Sequence, residues 1–326
     1  MPERRKLRIL LIGEESAGVQ MLRALARTGH QIVAVMTSAA SRTSGHTSLA
    51  TVAGQLGYAT WPARFVKDPE FAQNVTSAQI EIILNVHSLY IVHDQVLQAV
   101  RIGAFNMHPA PLPQYSGLNT VSWAIYRGET SHAVTIHWMT PQIDAGDIVY
   151  QSAFRIEDCD TPLSLTHKCV HAGVPLALRL LEAASTNPQA IPRRHQNLAR
   201  RQYFGKEIPE GGRLSWQRSA REIVDFVRAC DYIPYPSPWG HPMARWEHGE
   251  IAIVKAARTH LKCDRAPGTV GECDHSGVLI AGADEWVSVR QLKIDGRYLR
   301  PEAVLKAGCR LHDGWRPAPY HGSAGS

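Results

Sequence analysis

The chain has 326 residues, 44% hydrophobic and 20% charged, a balance that excludes wholesale disorder and leaves room for one large or two modest domains. No run approaches the roughly 20 apolar residues of a membrane span. The apolar stretch behind the charged N-terminus, residues 7–12, is too short for a secretory core, so the sequence reads as cytoplasmic. A net charge of +6 fits a solvated basic surface or attraction to an anionic partner, and the six cysteines, none in a CxxC pair, read as reduced and structural, with no metal site among them.

Residues 7–12 (LRILLI), ended by Gly13, predict a buried strand, residues 17–28 an amphipathic helix closed by Gly29, and residues 31–37 a second strand. This β-α-β opening implies parallel strands with right-handed crossovers in a Rossmann-like α/β sheet. The first turn, Gly13-Glu14-Glu15-Ser16-Ala17-Gly18, lacks the middle glycine of a dinucleotide fingerprint and carries two carboxylates that would repel a pyrophosphate. A dinucleotide site is therefore rejected. Further strands are expected at 80–85, 103–107, 133–139 and 148–156, and helices at 94–100 and 119–127. Residues 161–182 carry a long helical pattern with Gly173 and Pro175 inside it, which predicts a kink.

From residue 187 to 212 the texture changes. Pro188, Pro192 and Pro209, several glycines and the basic set Arg193, Arg194, Arg200 and Arg201 mark a linker. A helix is expected at 219–230, then a proline-rich loop at 233–240. Short β runs at 251–256, 268–272, 277–281 and 285–294, parted by glycine turns, predict a small β-barrel. The expected division is a first domain over 1–187, a linker over 188–212, a second domain over 213–310 and a loose tail over 311–326.

The densest chemical text is Asn106-Met107-His108-Pro109-Ala110-Pro111-Leu112-Pro113 followed by Tyr115-Ser116-Gly117-Leu118-Asn119. It lies just past the carboxyl end of an expected strand, where open α/β sheets place their ligands. Three prolines in five residues fix the backbone of a loop that must hold side chains still. A second dense patch, Ile143-Asp144-Ala145-Gly146-Asp147, is a turn between two expected strands.

Together these pieces resemble the N10-formyltetrahydrofolate-dependent formyltransferases. Asn106, His108, Leu112, Pro113, Tyr115 and Gly117 stand in step with that family's signature, Trp123-Ala124-Ile125 and Gly128-Glu129 with its next helix, Val134-Thr135-Ile136 with its next strand, and Asp144-Ala145-Gly146-Asp147 with its closing turn. The resemblance is strongest over 7–156. It continues through Gln196, Tyr203 and Leu214-Ser215-Trp216 toward the methionyl-tRNA formyltransferase type, which implies a C-terminal domain related to the OB fold.

The resemblance implies Asn106, His108 and Asp144 as catalytic residues, and the chemistry suits them. In formyl transfer to an amine, an amide donor such as Asn106 stabilises the developing oxyanion, a contribution of roughly 3–4 kcal/mol. His108 moves the amine proton and Asp144 orients the imidazole; the residues alone leave open which of the two takes the proton first. The donor implied is N10-formyltetrahydrofolate, with no metal. By position, Val86, Ser88, Leu89, Tyr90, Ile91, Ile143 and Asp144 would line its pterin, largely through backbone groups.

The acceptor is read from departures. Ser116 stands where the family carries an arginine, and residues 38–47 hold one arginine and no lysine where the tRNA enzymes carry a lysine-rich insertion. Phosphate tracking needs several cations, so tRNA is disfavoured. The expected acceptor is a small primary amine or hydroxylamine, of amino sugar nucleotide or amino-acid type, contacted by Ser116, Asn119, Thr120 and His137. Rival readings are methionyl-tRNA formyltransferase, a formyltetrahydrofolate hydrolase and a non-catalytic binding module. No membrane partner is expected, and monomer and homodimer stay open.

Overall fold

The apolar run behind the N-terminus builds β1 (Arg8–Gly13), whose leucines and isoleucines are almost wholly buried on both faces, as the central strand of a parallel sheet requires. A computed structural model describes residues 5–38, 48–274 and 277–314. After β1 come α1 (Glu15–Leu25), β2 (Gln31–Thr37), α2 (Leu49–Gln55), β3 (Thr60–Pro62), α3 (Phe71–Ser77), β4 (Ile82–Val86), α4 (Asp94–Gln98) and β5 (Gly103–His108). Then follow β6 (Ser116–Gly117), α5 (Thr120–Tyr126), β7 (Ser131–Trp138), β8 (Ile148–Arg155), α6 (Pro162–Thr186) and β9 (Tyr203–Phe204).

The chain forms two compact units. Among the described residues, the first takes in those as far as Thr120, then Ser131–Arg155 and Thr166–Phe204; the second holds Val121–Thr130, Ile156–Leu165 and those from Gly205 onward. The sheet of the first unit runs β3-β2-β1-β4-β5-β7-β8. Pairings are parallel from β3 to β5 and antiparallel from β5 to β8, so the sheet is mostly parallel, as expected. One of its faces is filled by Leu10, Ile12, Met36, Val66, Ile83 and Val96.

Glu14 is committed within the protein: its carboxylate accepts from Thr37 Oγ1 at 3.0 Å and from the Ser38 backbone N–H at 2.7 Å. The glycines beside it serve packing, since a Cβ on Gly18 would lie 3.2 Å from the Gly13 carbonyl carbon. The kink expected in α6 does not interrupt the helix, which runs unbroken from Pro162 to Thr186 with Pro175 inside. Gly173 is there for close approach, because a Cβ would meet Met107 Sδ at 2.5 Å. Sequence reading missed β3, α2 and α3, of three, seven and seven residues, too short to show a period.

Beyond Gly205 the second unit carries α7 (Ala220–Ala229), begun by a reciprocal capping box in which Ser219 bonds the Glu222 N–H and Glu222 returns to Ser219. It continues through β10 (Met243–Trp246), β11 (Gly249–Lys262), β12 (Val270–Asp274), β13 (Gly277–Ala281), β14 (Glu285–Ile294), β15 (Arg297–Leu299) and β16 (His312–Asp313). The antiparallel sheet runs β12-β13-β14-β11-β10-β16. Its two ends meet: Leu311 N–H donates to Gly268 O at 2.8 Å and Val270 N–H to Cys309 O at 2.9 Å, closing the path as a small barrel does. The run expected at 251–256 is one long strand, bent by register shifts against β14. Residues 311–314, expected to begin a loose tail, are packed into the second unit. Leu311 is buried and Asp313 accepts from Ser215 Oγ and Trp216 N at 2.8 Å; residues 315–326 lie outside the described residues.

Candidate functional site

Strand pairing sets the site. Asn106, near the carboxyl end of β5, lies in register with Asn85 on β4 and with His137 on β7. Asn85 Nδ2 donates to Asn106 Oδ1 at 3.0 Å, which turns the Asn106 amide nitrogen the other way. That nitrogen donates to His137 Nε2 at 3.1 Å and lies 3.4 Å from Asp144 Oδ1. His137 Nδ1 donates to its neighbour's carbonyl, Trp138 O, at 2.8 Å, so its Nε2 is the acceptor when the ring is neutral.

His108, the last residue of β5, is 4% exposed. Its Nε2 lies 2.7 Å from the Tyr115 carbonyl, which can only accept, so Nε2 carries the hydrogen. In the neutral ring Nδ1 is then the bare nitrogen, 3.6 Å from Asp144 Oδ2. Burial lowers the His108 pKa; Asp144 and the Tyr115 carbonyl pull it partly back, and His137 presses it down again. The ring rests neutral at neutral pH.

Asp144 is 8% exposed and sits in the left-handed region at φ 53°. Its Oδ2 accepts the Gly117 backbone N–H at 2.8 Å and its Oδ1 lies 3.4 Å from His137 Nε2. Burial pushes the carboxyl up, but the imidazoles of His108 and His137 and the Gly117 N–H outweigh it and hold the group well below the usual carboxylate range. The trio thus meets: an amide N–H, a bare imidazole nitrogen and a fixed carboxylate, with Asn106 itself only half-buried.

The loop between His108 and Gly117 is clamped from below. His132 Nε2 donates to Pro109 O at 2.8 Å, Thr135 Oγ1 to Ala110 O at 2.6 Å and Gln151 Nε2 to Leu112 O at 3.2 Å. Tyr115 stacks on Phe204 at 5.2 Å. The stretch read as a linker lies along the site. Arg194 pairs with Ile148, β9 pairs with β6, and Arg193 stacks over Trp138.

The other residues named from sequence fall in different places. Leu89 and Ile91 are 78% and 58% exposed, which is not core packing, and Ile143 is exposed as well. Tyr90 packs on the apolar core with Lys67 over its ring at 5.2 Å. Val86 is buried with its carbonyl accepting from Glu14 N–H, and Ser88 Oγ accepts from Tyr90 N–H at 3.4 Å. Ser116 and Thr120, expected toward the acceptor, are buried and turned inward: Ser116 Oγ bonds Pro113 O at 3.5 Å and Thr120 Oγ1 bonds Pro109 O at 3.1 Å. Asn119 holds φ 52° just before α5. His137 belongs with the trio rather than beside it. The lysine-poor stretch that argued against tRNA lies, for residues 39–47, outside the described residues.

Asn85 and Gln196 went unread as residues that orient the trio. The only signal for Asn85 was a polar residue ending an apolar strand. Gln196 Nε2 donates to Asp144 O at 2.9 Å and to Gly146 O at 2.6 Å, a contact no spacing announces.

An α/β sheet whose carboxyl edge gathers an amide donor, an imidazole and a carboxylate can stabilise an oxyanion and move a proton. The chain belongs to the formyl transferase family: the formyl transferase model matches residues 5–181 and the formyl transferase C-terminal domain model residues 208–307. Its fold is shared with an N-formyltransferase from Helicobacter canadensis in complex with folinic acid and dTDP-3-aminofucose (20% identity, 87% of this chain and 98% of that one, TM-score 0.68). It is also shared with a 4-N formyltransferase from Francisella tularensis (17% identity, 74% and 94%, TM-score 0.61). HypX from Aquifex aeolicus, in complex with tetrahydrofolic acid, matches 92% of this chain over 47% of its own (18% identity, TM-score 0.62). No described helix is long and apolar enough to cross a membrane.

Proposed function

We propose that this protein moves the formyl group of N10-formyltetrahydrofolate to the primary amine of a small biosynthetic acceptor, of the nucleotide-linked amino sugar class. The observation that carries the reading is the convergence of Asn106, His108 and Asp144 on one point, although Asn106 and Asp144 are 38 residues apart in the chain. The exposed Leu89, Ile91 and Ile143 give an apolar ring system a surface to lie on. The acceptor class is supported by solved sugar N-formyltransferases that share the fold over nearly their whole length, by the dTDP-3-aminofucose in the Helicobacter canadensis complex, and by Ser116 in place of an arginine.

The neutral amine attacks the formyl carbon. The carbonyl oxygen gains charge and takes a hydrogen bond from Asn106 Nδ2, one of whose hydrogens is held only loosely, by Asp144 Oδ1 at 3.4 Å. His108 Nδ1 takes the amine proton. Asp144 is too weak a base to keep a proton, and serves as the fixed counter-charge that stabilises the imidazolium as it forms. The same proton passes to N10 as the C–N10 bond breaks, giving the N-formyl acceptor and tetrahydrofolate. The test is purified protein with N10-formyltetrahydrofolate and a dTDP-linked 3-amino sugar. Acceptor-dependent tetrahydrofolate release, with product heavier by one formyl group, is expected. Release at the same rate without any amine would replace the transferase by a hydrolase.

A further inference from the structure

We propose that Gln196, at the head of the strap formed by residues 196–204, is a positioning residue that sets Asp144 against His108. The inference rests on the catalytic reading of that pair. Three backbone carbonyls of the Asp144 turn are held from the strap. Gln196 Nε2 takes Asp144 O at 2.9 Å and Gly146 O at 2.6 Å, and Arg201 Nη2 takes Ile143 O at 3.0 Å. The turn needs holding, because Asp144 is a left-handed non-glycine residue, a conformation that persists only when its surroundings fix it. Gly146 in the same turn packs tightly on β7, since a Cβ there would lie 2.0 Å from Trp138 O.

The strap then grips the other side of the pair. Ser116 N–H donates to Gln202 O at 2.9 Å and Leu118 N–H to Phe204 O at 2.8 Å, which fixes β6 against β9. From that segment Gly117 N–H reaches Asp144 Oδ2, and the Tyr115 carbonyl fixes the tautomer of His108. One continuous stretch thus holds the backbone of the carboxylate, the amide that orients it and the carbonyl that orients its partner. Gln196 touches none of the reacting atoms; its effect passes through Asp144.

The test is read on the full-length protein by NMR titration of His108, assigned by comparison with His108→Gln, and then by kinetics. His87, His132, His137 and Asp144 are the titratable groups around that ring. Because Asp144 raises the His108 pKa, Gln196→Ala moves it downward, toward the value in Asp144→Asn. With N10-formyltetrahydrofolate and the amino sugar nucleotide, kcat falls about 10- to 100-fold while KM for the folate changes less than about threefold. Gln196→Glu adds a readout of its own. It keeps the shape of glutamine, but its carboxylate carries no donor and repels the same carbonyls. Its kcat therefore falls at least as far as that of Gln196→Ala, which separates loss of the two hydrogen bonds from loss of side-chain packing. An unshifted His108 titration, or an activity loss matching only the unfolded fraction, overturns the proposal. If Asp144→Asn is inactive while Gln196→Ala is normal, the strap's role fails alone. If His108→Gln and wild type transfer formyl equally, the catalytic reading fails.

Discussion

Asp144→Asn isolates the charge of the carboxylate from its shape. The Gly117 N–H, 2.8 Å from Oδ2, requires an acceptor, so the new amide places its oxygen there and its nitrogen at the Oδ1 position. The side chain keeps its anchor on the Gly117 N–H and loses its charge, giving up only the long 3.4 Å contact from Asn106 Nδ2. A carboxylate 3.6 Å from His108 Nδ1 stabilises an imidazolium by about 4–5 kcal/mol at an effective dielectric of about 20. The ring is neutral at rest and charged only as it takes the amine proton, so the loss falls on the chemical step, a decrease of about a thousandfold. A single-turnover measurement, folate and acceptor both saturating, reads that step directly. The sign of the pH effect follows. The base must be unprotonated, so the rate falls as pH drops through the folded His108 pKa, which burial already sets below the usual imidazole value. Without Asp144 to raise it, that acid limb moves to still lower pH. A single-turnover constant within tenfold of wild type, or a loss carried wholly by KM, would refute the reasoning.

His132, buried beneath the catalytic loop, has its pKa pushed down to about 4 by burial, in spite of its bond to the Pro109 carbonyl. The unfolded chain takes up the proton near pH 6.5 and the folded one near 4, so about 3 kcal/mol of stability is present above pH 6.5 and is lost as pH falls to 4. Chemical denaturation at pH 7.5 and 4.5 should show the drop, and His132→Gln should shrink it by about that amount. Gly117→Ala forces a Cβ to within 2.1 Å of the Phe204 carbonyl at φ +96°, and should cost about 2–3 kcal/mol while parting β6 from β9; a variant as stable as wild type would refute the packing. Ser219→Ala removes the capping box of α7 and should cost about 1 kcal/mol in thermal or urea unfolding, with formyl transfer per folded molecule unchanged.

The parts of the fold that were legible carry their reason within a few neighbouring residues. The β-α-β opening follows from apolar runs broken by glycine, and β13 and β14 coincide with the stretches read from residues 277–281 and 285–294. Elements whose reason lies elsewhere were not legible. Gly173 reads as a helix breaker until Met107 is seen behind it, and residues 311–314 read as tail until they close the barrel. The site divides in the same way. Asn106, His108 and Asp144 are side chains in a recognisable spacing, but what orients them is mostly backbone: the Tyr115 carbonyl, the Gly117 N–H, and the carbonyls gripped by Gln196 and Arg201. Any residue type supplies a carbonyl or an amide, so such groups leave no mark on composition or pattern. Their positions are set by strand register, which places Asn85 and His137, 21 and 31 residues away, on either side of Asn106. It follows that substitution at Tyr115 or Gln202 tests side-chain packing and leaves their site contacts in place. Changes that move the backbone, such as those at Gly117 and Gln196, do reach the geometry on which the chemistry depends.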